Sequence, residues 1–229
     1  MAHALDGPLF KIRVSGDWAC FTRPEMKVER VSYEVITPSA ARGVLEAILW
    51  KPAIAWVVHR VHVLKPVRWA SFKRNEVTDK IPVARITRAM GSGSAVEPIL
   101  AEECRAQRHT LALREVDYVI EAGFRMVPSK AGPEDNPLKF AEMFTRRLDK
   151  GQWYRAPYLG CREFAARVEP ASEAFQTITD SRDLGWMLHD IEFRPGAENL
   201  PHFFAARMTR GVIEVPEFKP GLQGSGGAS

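Results

Sequence analysis

One stretch limits the possible folds more than any other. Thr37-Pro38 opens it and Lys51-Pro52 closes it. Thr37 is a capping residue, and Pro38 suits the first helical position because its missing N–H would be unbonded there anyway. Ala41, Val44, Leu45, Ile48 and Leu49 then recur at helical spacing and make one apolar stripe. Lys51 precedes a proline, which pushes it out of the α region and ends the helix. The Val- and Ile-rich residues 53–64 follow and read as a strand. A short, sharply bounded helix running straight into a strand points to a mixed α/β architecture.

The rest of the chain extends that pattern. Residues 9–14 alternate apolar and basic like a half-exposed strand, and Gly16-Asp17 reads as a turn. Residues 68–108 are basic and poorly periodic, and contain Gly91-Ser92-Gly93-Ser94. They read as a long loop, a length that is usually functional. Thr110–Leu113 and Val116–Met126 read as a strand or hairpin. A second helix is expected over Leu138–Lys150, followed by short strands over Ala165–Glu169, Gly185–Phe193, Phe203–Met208 and Val212–Val215. The expected fold is therefore α+β. Residues 1–150 form a ferredoxin-like (RRM-like) βαββαβ unit. Residues 151–217 form a C-terminal antiparallel β-sheet domain, and 218–229 a disordered tail.

Charge is unevenly placed. Residues 11–88 carry 15 Lys/Arg against 7 Asp/Glu, while the net charge of all 229 residues is only +4. A basic first third suggests a polyanion-binding face, with a solvated surface as the bland alternative. The three cysteines, Cys20, Cys104 and Cys161, are far apart, so neither a disulfide framework nor a zinc finger is expected, and a reducing cytoplasm fits best. No apolar run approaches the ~18–20 residues of a membrane span, and no signal peptide is expected. No phosphate-loop or metal-ligating motif is visible, so no cofactor and no metal are expected.

The positive evidence is cations interleaved with aromatics. Arg23, Lys27 and Arg30 lie near Phe21 and Tyr33, and Lys73 and Arg74 follow Phe72 close to Trp69. Cations hold phosphates while aromatic faces stack bases, a combination suited to single-stranded RNA. The same aromatics could instead anchor a loop to the core. Lys139 lies near the start of the second helix, where it adds to a positive dipole able to receive a phosphate. Arg146 and Arg147 lie further along that helix.

Several of these stretches resemble one family. They are Phe21–Tyr33, Pro38–Ile48, Trp50-Lys51-Pro52, Leu159-Gly160-Cys161-Arg162-Glu163-Phe164 and Asp183–Leu188, with a shorter one at Arg74–Val77. In order and spacing they resemble the CRISPR-associated Cas5 proteins of the type I-C (Dvulg) subtype. The resemblance implies binding of the precursor CRISPR RNA repeat hairpin and of the mature 5′ handle. It also implies a surveillance complex with a large subunit and backbone subunits, through which target DNA is met. In this subtype the protein is expected to cut the precursor itself, without a metal, by 2′-hydroxyl attack.

This chain departs from the family at the active site. The family's Tyr or His before Trp-Lys-Pro is Leu49, its Lys-His pair is Lys139-Phe140, and a His in the preceding strand is Gly123. Lys139 and Tyr33 are the expected catalytic residues, with Tyr154 and His109 as other possible proton carriers. Arg23, Lys27, Arg30, Arg42, Lys51, Lys73, Arg74, Arg146 and Arg147 are the expected RNA contacts. Two further readings remain: a non-catalytic RNA-binding subunit, because Leu49 and Phe140 cannot move a proton, and a nonspecific nuclease or DNA binder.

Overall fold

The computed structural model describes residues 6–218, except for positions 27, 79, 81, 97, 99, 101, 195 and 197. In chain order the elements are β1 (Phe10–Ala19), β2 (Arg30–Val31), α1 (Pro38–Ile48), β3 (Ile54–Val63), β4 (Trp69–Val77) and α2 (Val83–Ser92). There follow β5 (Arg105–Met126), α3 (Pro137–Asp149), β6 (Arg167–Pro170), β7 (Arg182–Glu192), β8 (Leu200–Thr209) and β9 (Val212–Glu214). The architecture is mixed α/β: a largely antiparallel sheet in the order β6-β1-β5-β3-β9-β8-β7, with β2 and β4 also paired to β5. The hydrogen-bonded path runs unbroken from the first half into the second through the β3–β9 ladder.

Both principal helices start as their residues dictate. The Thr37 hydroxyl accepts from the Ala40 amide at 3.2 Å, and the Asn136 carbonyl oxygen accepts from the Lys139 amide at 2.9 Å. Each cap is followed by a proline in the first turn. Their apolar stripes pack into one core, in which Phe144 meets Phe10 at 4.7 Å and Trp56 at 4.6 Å between ring centroids. The segment after α3 is tied to the end of α1. The Tyr154 amide donates to the Ala47 carbonyl, and the Arg147 guanidinium donates to the Ile48 carbonyl, both at 2.8 Å.

Two local expectations are corrected, and one open alternative is decided for the strand. Gly16-Asp17 is not a turn, because β1 runs through it and Gly16 pairs with Val116. Residues 68–108 are not a loop but the strand β4, the helix α2 and the start of β5. The helix leaves Val83 and Met90 largely exposed and has no side-chain cap, so it carries few of the usual signals. Thr110–Leu113 and Val116–Met126 are not a hairpin but one strand, β5, with Glu115 between them in the left-handed region at φ 52°. The tail expected from 218 lies outside the described residues from 219 onward, and Phe218 itself stacks on His189. No helix among the described residues is long and apolar enough to cross a membrane.

Gly160 has the tightest backbone approach among the glycines. It sits at φ +82°, and a Cβ there would lie 2.1 Å from the Cys20 carbonyl oxygen. Gly160→Ala is expected to cost about 3 kcal/mol or more, a fall in Tm of roughly 6–12 °C. Gly43, inside α1 with nothing within 4 Å of its would-be Cβ, makes the control. Gly43→Ala should raise stability by about 0.5–1 kcal/mol. Thermal unfolding by circular dichroism reads both.

Candidate active site

A cleft of about 650 Å³ opens where the end of α1 meets β3, the end of β5 and the C-terminal strands. Arg42, Trp50, Lys51, Arg125 and Lys130 line it, with Asp190 and Pro216 on the far wall. Residues 54–58 of β3 line it as well, together with Glu46 and Glu217, and Arg125 is paired with Glu217 at 2.9 Å. Lys51 also acts electrostatically on Asp135, whose carboxylate accepts from the Lys139 ammonium at 3.1 Å. The end of α1 and the start of α3 therefore present Lys51, Asp135 and Lys139 as one charged group.

The Asp135 carboxyl is held below its ordinary range, first by the Gly132 amide and then by Lys139. A carboxylate so held is a poor base near neutral pH. His189 is the one imidazole among the described residues lining the cleft. It bonds the Pro216 carbonyl through Nε2 at 2.7 Å, so Nε2 carries the proton. Burial pushes its pKa down, keeping the ring neutral.

Leu49, Phe140 and Gly123, the positions singled out by the resemblance, are packing positions. Leu49 is 0% exposed, and its carbonyl accepts from the Trp56 indole at 2.9 Å. Phe140 is 1% exposed and meets the Phe124 ring edge-on at 6.5 Å. Gly123 lies in β5 opposite Val57. Of these positions only Lys139 offers an ionisable group, and its side chain is partly exposed.

The structure divides the expected contacts. Tyr33 is 1% exposed, with the Arg23 guanidinium 4.4 Å over its ring, and burial raises its phenol. In this geometry the ring cannot stack a base or exchange a proton with RNA. Arg30 and Arg74 converge on Glu163, and Arg30 also reaches the Cys161 sulfur at 3.3 Å. That thiol is pulled down to about 6, by a hydrogen bond with Cys20 and by Arg30. Three separate family-like stretches thus meet in one knot of ion pairs.

Arg42 is held by Glu46 and by Asp190 at 2.6 Å, and Arg147 by the Ile48 carbonyl. These cations have structural partners, so their availability to phosphates is lower than their sequence positions suggest. Lys73, on β4 opposite His109, and Arg146, on α3, are exposed. Lys27 lies outside the described residues. Sequence reasoning missed Lys130 and Arg125, which reach the cleft from the turn between β5 and α3 and from the end of β5. The signal was available in a basic residue on the linker leading back to the start of the second helix.

The family model described as CRISPR-associated protein (Cas_Cas5), of the Cas5d type, matches residues 9–216. A protein of Mannheimia succiniciproducens is 49% identical over 217 residues, covering 91% of this chain and 95% of the relative. One of Thermus thermophilus is 41% identical over 226 residues, covering 91% and 92%. Both are named CRISPR pre-crRNA endoribonuclease Cas5d. Among solved structures, a CRISPR-associated protein superimposes with a TM-score of 0.67 at 24% identity, over 94% of this chain and 95% of that one. A functionally uncharacterized protein of Streptococcus mutans gives 0.62 at 23%, over 93% of each. These two likenesses establish a shared fold. With nearly its whole length matched, the chain belongs to the Cas5 family of CRISPR-associated proteins, in its Cas5d branch.

Proposed function

We propose that this protein matures CRISPR RNA: it binds the repeat hairpin of the precursor and cuts it once as an endoribonuclease. The carrying observation is the near full-length identity to two proteins named for that activity. The cleft lined by Lys51 and Lys130, beside Lys139, supports it. In this reading the 2′-oxygen attacks the adjacent phosphorus, forming one O–P bond. The bond to the 5′-oxygen breaks, leaving a 2′,3′-cyclic phosphate and a 5′-hydroxyl. No metal takes part. Lys139 stabilises charge on the phosphoryl oxygens, which is the term a fixed cation can supply. The product stays bound by its 5′ handle in the cytoplasm, within a surveillance complex of large and backbone subunits. Target DNA is met only through that complex.

The same reading takes residues 1–150 as a ferredoxin-like RNA-binding unit and 151–217 as a β-rich unit. The antiparallel order β6-β1-β5-β3, with a helix after the first and third of these strands in the chain, supports a ferredoxin-like unit, and its fourth strand, β6 (Arg167–Pro170), carries that unit past residue 150. A second reading, a subunit that holds RNA without cutting, is favoured by the apolar burial of Leu49 and Phe140. General acid–base help lost at two positions typically costs about 10²–10⁴-fold in rate.

The test is a 5′-labelled repeat hairpin from the host's own array, incubated with the protein in EDTA. One discrete cut, blocked by a 2′-deoxy substitution at the cut site, is expected. A stable gel shift without product assigns the holding role instead, and a divalent-metal requirement overturns the mechanism. Lys139→Ala should slow single-turnover cleavage by about 10²–10³-fold with a much smaller change in Kd.

Asp135 gives a second expected outcome. The Lys139–Asp135 pair persists at neutral pH and loosens only as pH falls through the depressed Asp135 pKa. Asp135→Asn should release Lys139 to phosphate throughout. The slope of log K against log salt should steepen by about 0.7–0.9, read by filter binding at several salt concentrations.

A further inference from the structure

Trp50 and Tyr154 form an aromatic pair on the outside of the molecule. Their ring centroids are 6.2 Å apart and their planes differ by 26°. Trp50 is 47% exposed and Tyr154 61%. By contrast Trp56, Phe124 and Phe144, a few residues away in the fold, are almost completely buried. Hydrogen bonds to backbone carbonyls fix the two segments that carry the pair. The Tyr154 and Arg155 amides both donate to the Ala47 carbonyl, and Arg147 fixes the Ile48 carbonyl just before Trp50. The rings are therefore carried on a rigid junction of two helices, with much of their surface in water.

Their neighbourhood is cationic. Trp50 forms part of the cleft wall, and the next residue is Lys51, which also lines it. Lys51 acts on Asp135, the partner of Lys139. Rigid aromatic faces beside ammonium groups match one nucleotide of single-stranded RNA: the rings accept the flat base, and the cations accept the phosphates on either side. An apolar protein segment would cover the rings but leave those ammonium groups unmatched.

We propose that Trp50 and Tyr154 form a stacking platform for one unpaired base of the RNA, beside the phosphate contacted by Lys139. The proposal rests on the RNA-processing reading above and adds a positioning element to it. Holding the base fixes the attached sugar, and hence the line between a 2′-oxygen and the neighbouring phosphorus. Orientation of this kind accounts for a large part of a barrier when proton transfer is poorly assisted. Leu49 and Phe140 create that circumstance here.

The experiment combines the platform variants with repeat RNAs in which single nucleotides are made abasic in turn. Trp50→Ala and Tyr154→Ala should each weaken repeat-RNA binding by about 5- to 100-fold. In the wild type one abasic position should weaken binding to a similar degree. At that position the effect should vanish in Tyr154→Ala, because base and ring are then partners in one contact. Tyr154→Phe should retain the coupling, since stacking needs the ring and not the hydroxyl.

Circular dichroism melts of both alanine variants separate loss of the platform from loss of the fold, and a general loss of structure would produce no single coupled position. If no abasic position couples to Trp50 or Tyr154 while wild-type protein still cuts the repeat, the platform is overturned and the processing reading stands. Loss of the abasic coupling in Tyr154→Phe overturns stacking in favour of a role for the hydroxyl. Wild-type protein that binds no repeat RNA overturns both.

Discussion

The fold hangs on β5, whose 22 residues are paired along both edges. On one edge β1 takes residues 113–122 and β2 takes 110 and 111. On the other β3 takes 118–126 and β4 takes 105–113. The change of partner from β3 to β4 falls at Glu115, the residue with a left-handed backbone. A strand paired on both sides has no edge left to slip or aggregate, and its register sets that of its neighbours. The same strand, ending at Met126, delivers Arg125 to the cleft and the following turn delivers Lys130. The site's geometry thus descends directly from the central ladder.

The sheet also explains where RNA has room to bind. On its face Lys11, Arg60 and His62 gather around Glu121 of β5, and Arg13 of β1 pairs with Asp117 of β5. Asp117 and Glu121 are buried, and the segment after β6 lies over them: Phe175 contacts His62, and Glu173 pairs with Lys11. The buried carboxylates need these partly exposed cations as partners, which leaves the cations less available to phosphate. On the proposed ferredoxin-like reading, the sheet face that RNA-recognition modules use for stacking is here covered by the segment after β6. Lys51 and Lys130 line the cleft at the other end of β3.

Sequence and structure agree where a signal was local. Thr37-Pro38 and the stripe from Ala41 to Leu49 define α1, and the turn before Leu138 places α3 within one residue. The break between Leu113 and Val116 was visible as the polar pair Arg114-Glu115. It marks a kink in one strand, because local pattern cannot distinguish a left-handed residue within a strand from a turn between two. The helix α2 was missed although Val83, Ile86 and Met90 recur at helical spacing, since its apolar residues meet little of the core. The cations were the least legible. Arg30, Arg74 and Glu163 come from three distant stretches, and only the fold shows that they pair.

The site therefore has an unusual division of labour. Where the family resemblance implies proton carriers, this chain has Leu49 and Phe140, both part of the core. Reverting either to a polar residue would place an ionisable group among apolar neighbours, where it would be held neutral or left without a partner. The departure is thus built into the packing of α1 and α3 rather than confined to the surface. What remains at the mouth is electrostatic and geometric: Lys139 poised against Asp135, Lys51 within their field, and flat aromatic surface beside them. In the proposed reading, fixed charge and fixed stacking hold the RNA without proton transfer. The site's chemistry then depends on how well it orients the sugar against the phosphate.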